Sequence, residues 1–390
     1  QPAHHPCIFI LPHVRPTPFK RRSHRRDRNR DALDRDQAPV KVLLVAGARP
    51  NFPKIAPIAA ALRQASDQFS PPVVVHTGQH YDYQLSEIFF EELELGPPQY
   101  HLQARSDAGP VRQLADIMDK IDPILSDEAP DLVLVVGDVS STVACSVAAA
   151  TRQIPVAHVE AGLRSGDRTM PEEINRVAVD SLADMLFTHC AEADGHLRDE
   201  HVPERCIFRI GNVMIDTLHR FLPKAQATDV IQRHGVTAGE YGLVTLHRPS
   251  NVDHAETLDG ILKALLKISQ QIDLVFPVHP RTRQRLDSFG FSSRLAAVPG
   301  IRLCEPLGYM DMIALQAAAR LVLSDSGGIQ EETTALGVPC MTLRPNTERR
   351  VTIDEGTNTL VGTDPERIVS MASQILTNGG KAGRIPELWD

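Results

Sequence analysis

Leu321-Val322-Leu323-Ser324-Asp325-Ser326-Gly327-Gly328-Ile329-Gln330-Glu331-Glu332 holds one strand-to-helix unit in a single stretch. Residues 321–323 read as a buried strand, two glycines follow in its exit loop, and residues 328–336 carry helical spacing. A helix that starts this way aims backbone N–H groups at whatever lies off the end of the strand, and its dipole favours an anion there. A diphosphate fits that description. The stretch is not GxGxxG and lacks the lysine of a P-loop, so the NAD and ATP fingerprints are both absent. One of the two glutamates can accept hydrogen bonds from ribose hydroxyls; the alternative is that both simply complement the helix dipole. Gly337 and Pro339 close the helix as ordinary stop signals.

The same rhythm runs through most of the chain. Residues 40–46, 73–77, 132–136, 156–159, 185–189 and 207–210 read as strands, with helices over 55–65, 86–95, 111–126, 141–152 and 172–182 between them. A second series has strands at 243–246, 274–278, 301–304, 321–323 and 340–343, with helices at 258–269, 310–319 and 328–336. Alternating β and α predicts parallel sheets covered on both faces. The expected fold is therefore α/β, two Rossmann-like doubly wound domains with a hinge near 209–213. The boundaries fall at 39–210 and 211–365, after a disordered leader over 1–38.

Composition agrees with such a fold. The chain has 390 residues, 42% hydrophobic and 23% charged, which suits two or three domains. No apolar run approaches the length needed to cross a bilayer. A net charge of -8 argues against a nucleic-acid footprint over the whole protein. Residues 1–38 hold eight Arg and one Lys against four Asp, a local +5 that leaves -13 for the rest. That leader is rich in Pro, His and Arg and has no apolar face with which to join a core. The six cysteines, Cys7, Cys145, Cys190, Cys206, Cys304 and Cys340, form no CxxC pair and read as buried free thiols in a reducing compartment.

Ligands in open α/β sheets sit outside the carboxyl ends of strands, and polar or glycine-rich residues gather there. The first series offers Gly47-Ala48-Arg49-Pro50, Thr77-Gly78-Gln79-His80, Gly137-Asp138 and Glu160-Ala161-Gly162. The second offers His247-Arg248, His279-Pro280-Arg281 and the stretch quoted above. Such convergence predicts one cleft shared by both domains. Asp138, Glu160 and Glu172 are three carboxylates near it, and clustered acids separate their pKa values, as proton donor and base require. Glu172 has a competing reading, because Thr169-Met170-Pro171-Glu172 matches a capping box. His247 can polarise a phosphate leaving group or move a proton, or it can be a buried histidine bonded to backbone. Arg49 and Lys54 flank the first helix start, where they can meet a diphosphate or remain solvated.

Taken together, these stretches resemble the non-hydrolysing UDP-N-acetylglucosamine 2-epimerase family over residues 41–385. The carriers are those of the first series with Lys54, His158-Val159-Glu160-Ala161-Gly162-Leu163-Arg164, Met170-Pro171-Glu172-Glu173-Ile174-Asn175-Arg176, Leu246-His247-Arg248, Ser326 to Glu332 and Thr347-Glu348-Arg349. The resemblance implies a GT-B-like architecture with the active site in the interdomain cleft and a C-terminal helix, 366–390, crossing back to the first domain. It implies reversible conversion of UDP-N-acetylglucosamine to UDP-N-acetylmannosamine through UDP elimination, a 2-acetamidoglucal and re-addition, without metal or NAD. In it, Asp138, Glu160 and Glu172 are the acid–base groups and His247 serves the phosphate side. Arg49, Lys54, Ser326, Gly327, Gly328, Glu332 and Arg349 contact the nucleotide, Leu307 and Met312 wall the uracil, and Arg176 matches a further active-site position. A cytoplasmic homodimer with a UDP-sugar as substrate, no cofactor, and a place in cell-surface polysaccharide biosynthesis complete what it implies.

Departures from the family pattern stand at Ala48 and Asn51, where Thr and Glu are common, and at Arg350, where Pro is. Tyr81 replaces the Arg usual in members activated by a second substrate molecule. The Gln79-His80-Tyr81-Asp82 sequence also occurs in members acting on modified UDP-sugars. A glycosyltransferase of the same architecture and a product-releasing epimerase are the alternatives.

Overall fold

A computed structural model of the chain describes residues 38–78, 83–104 and 109–389; the Arg-rich leader, Cys7 and Gln79 to Asp82 lie outside the described residues. The chain divides into two compact units, one ending at Val213 and the other starting at Met214. Each is built on one parallel sheet.

In the first unit the strands are β1 Val42–Ala46, β2 Val73–His76, β3 Tyr100–His101, β4 Leu132–Val136, β5 Val156–Val159, β6 Met185–Thr188 and β7 Ile207–Arg209. Their order across the sheet is β3-β2-β1-β4-β5-β6-β7. β1, β2, β4 and β5 are buried at every position, which explains why they are apolar apart from His76 in β2 and His158 in β5: helices cover both faces. Ala46 pairs with His76, Leu44 with Leu134 and Val136 with Val159, so these four strands end nearly level. The chain builds outward from β1 to β3, then returns past β1 to begin β4. That reversal opens a crevice between the loops after β1 and β4.

The second unit repeats the plan with β8 Tyr241–Thr245, β9 Asp273–Pro277, β10 Ile301–Cys304, β11 Leu321–Ser324, β12 Cys340–Thr342 and β13 Asn358–Leu360, in the order β10-β9-β8-β11-β12-β13. Its reversal lies between β8 and β11. Leu258, Ile261 and Leu265 of helix Ala255–Ile268 meet Leu274 and Phe276 of β9 in the core. Helix Pro365–Asn378 starts at Asp364, whose carboxylate accepts from the Arg367 N–H at 2.8 Å, and adds Ile368, Ala372 and Ile375 to that same core. It ends at Gly379, which takes φ +80°, well before residue 390. Residues 380–389 run on without helix or strand in the second unit, where Arg384 N–H donates to Glu355 O at 2.8 Å and Trp389 is buried.

Among the described cysteines all are free; Cys145, Cys190 and Cys340 are buried, whereas Cys206 and Cys304 are only half-buried.

Candidate active site

At the end of β1 the chain passes through Gly47 and Ala48 into a short 3-10 turn, Arg49–Asn51. The buried Asn51 amide folds back on this loop, accepting from Gly47 N–H at 3.0 Å and Ala48 N–H at 2.8 Å, and donating to Val136 O at 3.2 Å. One side chain thus ties the loop after β1 to the end of β4. Gly47 leaves room for this arrangement, since a Cβ there would lie 2.5 Å from Ser141 Oγ. Arg49 is half-buried in the turn.

Lys54, in the first turn of helix Phe52–Gln64, is buried and forms an ion pair with Glu160. Glu160 comes directly after β5 and has φ +71°, a left-handed conformation that costs a non-glycine residue about 1 to 3 kcal/mol. Its N–H donates to Phe187 O at 3.0 Å, which helps to hold it there. Asp138 follows Gly137 at the end of β4. Its carboxylate meets Arg176, a guanidinium only 1% exposed, and its backbone O accepts from Asn175 Nδ2 at 2.8 Å. Each of these two carboxylates therefore faces a buried cation.

Glu172 lies one turn before Arg176 on helix Pro171–Leu182 and is half-buried. The capping box expected at Thr169 and Glu172 is not formed. The helix is capped by Met170 without a side-chain bond, and the Thr169 hydroxyl donates to Asp167 at 2.6 Å instead. Pro171 at the first helical position shifts the start by one residue, so Glu173 becomes the third. Glu173 turns away from the cap and accepts from Ser165 N–H at 2.8 Å and Gly166 N–H at 3.1 Å, fastening the loop before the helix.

In the second unit, Thr245 and Ser324 hydroxyls meet at 2.7 Å and join the ends of β8 and β11. Asp325, fully buried just past β11, accepts from His247 N–H at 3.0 Å, Arg248 N–H at 2.9 Å and Asn251 Nδ2 at 3.1 Å, and faces His247 Nδ1 at 2.8 Å. Burial opposes its charge, but His247 and the two backbone N–H groups outweigh that and hold its pKa below the ordinary carboxylate range. His247 is thus fixed at both backbone and ring, with its side chain 37% exposed. Sequence reading gives Asp325 no role; its position as the first charge after a buried strand was the available signal.

Ser326 caps helix Gly327–Leu336 through its backbone, and its N–H donates to Ser324 Oγ at 3.0 Å. A Cβ on Gly327 would come within 2.6 Å of the Arg349 guanidinium, so that charge rests against the helix start. Gly328 lies next to Met214. Arg349 pairs with Glu348 and, at 3.2 Å, with Glu331; Arg344 pairs with Glu348 at 2.8 Å, and Arg248 approaches it at 3.8 Å. Three guanidiniums and two buried carboxylates thus gather beside a helix N-terminus. The two adjacent glutamates separate in role: Glu331 faces Arg349, while Glu332 accepts from Gln316 Nε2 at 2.8 Å. Burial pushes the Glu332 carboxyl up to about 7, against the effect of Gln316 and the Tyr309 hydroxyl. Leu307, in the loop after β10, and Met312, in helix Tyr309–Ala318, are both half-buried. Arg350 is exposed and approaches Asp354 at 3.9 Å.

Parallel sheets with polar residues and carboxylates gathered at their strand ends define an α/β fold of the two-unit, GT-B-like class. The sequence profile of UDP-N-acetylglucosamine 2-epimerase matches residues 62–387. A UDP-N-acetylglucosamine 2-epimerase homolog of Methanococcus maripaludis is 40% identical over 86% of this chain and 92% of that protein. The UDP-2,3-diacetamido-2,3-dideoxy-D-glucuronate 2-epimerase of Pseudomonas aeruginosa is 37% identical over 85% and 91%. The crystal structure of Methanocaldococcus jannaschii UDP-GlcNAc 2-epimerase in complex with UDP-GlcNAc and UDP superimposes with a TM-score of 0.82 at 37% identity, covering 90% of this chain and 97% of that one. The chain belongs to the UDP-N-acetylglucosamine 2-epimerase family, whose members are isomerases.

Proposed function

We propose that this chain interconverts UDP-N-acetylglucosamine and UDP-N-acetylmannosamine by eliminating UDP across C1 and C2 and adding it back. The observation that carries the reading is the pair of strand-end carboxylates, Asp138 against Arg176 and Glu160 against Lys54. Inverting C2 requires removal of its proton from one face and return of a proton to the other, so two acid–base groups are needed. Base attack breaks the C2–H bond, the electron pair forms the C1=C2 bond, and the C1–O bond breaks as UDP leaves. In the re-addition a proton is delivered to the opposite face of C2, the C1=C2 electron pair forms the new C2–H bond, and UDP rejoins C1 on the face it left. Asp138 and Glu160 are assigned to the proton transfers, with Glu172 one helical turn from the residue that holds Asp138.

UDP binding falls to the second unit in this reading. The Gly327 and Gly328 N–H groups and Arg349 take the diphosphate, and Arg49 and Lys54 are assigned to the nucleotide as well. Glu332 accepts from the ribose, and Leu307 and Met312 wall the uracil. His247, held by Asp325, serves the leaving phosphate. A glycosyltransferase of the same architecture needs the diphosphate contacts but has no need of the paired carboxylates.

The Pseudomonas relative acts on a diacetamido uronate, and this motivates a second reading in which the sugar carries substituents at C3 and C6. NMR of products from a panel of UDP-sugars separates the two. Formation of the C2 epimer from UDP-N-acetylglucosamine supports the first, and turnover confined to the diacetamido uronate supports the second. Glycosyl transfer to an added acceptor, with no epimer, contradicts both. A cytoplasmic homodimer goes with the reading, and sedimentation tests the oligomeric part.

A further inference from the structure

Behind the two carboxylates lies a buried pair that the proposed chemistry does not use. His158, within β5, is fully buried. Its Nε2 stands 2.9 Å from Gly137 O, and its Nδ1 stands 2.6 Å from Asp180 Oδ1. A carbonyl oxygen only accepts, so Nε2 carries a hydrogen and donates it. Asp180, from helix Pro171–Leu182, uses its other oxygen to accept from Gly162 N–H at 3.0 Å and to meet Arg164 at 2.8 Å. Burial works against the Asp180 charge, yet His158, Arg164 and the Gly162 N–H together leave its pKa low.

The consequence lies in what the pair is fastened to. His158 holds the residue immediately before Asp138, and Asp180 holds the residue two past Glu160. Both anchored residues are glycines in left-handed backbone, Gly137 at φ +69° and Gly162 at φ +79°. A Cβ on Gly162 would also sit 2.4 Å from Ala193 O. The two turns that present Asp138 and Glu160 are therefore cross-tied through one imidazole and one carboxylate. Taking such a pair out of water is costly, and well-packed apolar side chains would often stabilise as well or better. Stability alone gives little reason for it.

We propose that His158 and Asp180 are positioning residues for proton transfer, fixing the spacing and facing of Asp138 and Glu160 without touching the substrate. The proposal rests on the epimerase reading. A misplacement of about 1 Å at the reacting groups can cost roughly 100-fold in rate, whereas the UDP contacts assigned to the second unit are untouched.

The test compares wild type with His158→Ala, His158→Gln and Asp180→Asn by steady-state kinetics, UDP calorimetry and thermal melting. His158→Ala should lower kcat by roughly 10- to 100-fold while KM and UDP affinity stay within about twofold. His158→Gln, whose amide can reach the Gly137 carbonyl, should recover part of the loss, and Asp180→Asn should show the same split. If the alanine variant does not fold, the split must appear in the other two. Near-wild-type kcat in the folded variants, or equal loss of kcat and UDP affinity, overturns the proposal. A wild-type chain that exchanges no C2 proton sinks the epimerase reading as well; one that exchanges, beside unaffected variants, sinks this inference alone.

Discussion

Asp138 and Glu160 sit on neighbouring strand ends, and each is paired with a buried cation, Arg176 for the first and Lys54 for the second. Replacing either carboxylate by its amide, Asp138→Asn or Glu160→Gln, should cut turnover on the order of 10²- to 10⁴-fold with the protein still folded. Normal turnover in either would remove that residue from the proton path. Glu172 gives a sharper comparison now that Met170, not Thr169, is the cap. Glu172→Gln should leave the melting temperature unchanged and lower turnover; lost stability with turnover intact would instead restore a capping role. Glu332 makes a prediction about pH. Its folded pKa of about 7 exceeds the ordinary 4.5, so the native state holds this proton more tightly than the unfolded chain does. The stability it contributes is full below pH 4.5 and is lost as pH rises through 7. Glu332→Gln should abolish that decline, a difference on the order of 3 kcal/mol well above the folded pKa. Denaturant titrations of both proteins across this range would show parallel pH profiles if Glu332 were ordinary.

At the scale of elements, the helix start after β11 separates packing from ligand binding. Gly327 has an ordinary backbone, and the obstacle to a Cβ is the Arg349 guanidinium, a movable group. Gly327→Ala should therefore fold normally and lose UDP affinity by about tenfold or more, because an arginine–phosphate contact is a charge-assisted one. Calorimetry showing unchanged UDP affinity would place the diphosphate elsewhere. The strands legible in the sequence are those buried on both faces, above all β1 and β4, where Val, Leu and Ala run without interruption. β3 has two half-buried residues and left no pattern. β13 is Asn358-Thr359-Leu360, stabilised by the Asn358 amide donating to Gln330 O at 2.8 Å, and no apolar run announces it. Helices Ala191–Asp199 and Pro280–Ser288 bury few side chains, among them Leu197 in one and Leu286 in the other, so their periodicity is faint. Helix Val213–Gln226 is strongly amphipathic and was obscured by the expectation of a hinge at its start. The candidate site was legible because strand ends collect its residues. The partners Asn51, Asp180 and Asp325 were not, since only folding brings Asn51 to Val136, Asp180 to His158 and Asp325 to His247.

For the whole molecule, the two units divide the proposed work: carboxylates and their cations on the first, the anion-binding helix start and the ribose acceptor on the second. The central claim is that this machinery breaks and remakes the C2–H bond of a UDP-2-acetamido sugar. Incubating the enzyme with UDP-N-acetylglucosamine in deuterated water and following C2 by NMR tests it most directly. The account predicts one deuterium at C2 of the epimerised product, placed there as the proton returns from solvent-exchanged acid. Epimer formed with its original C2 hydrogen retained would contradict it.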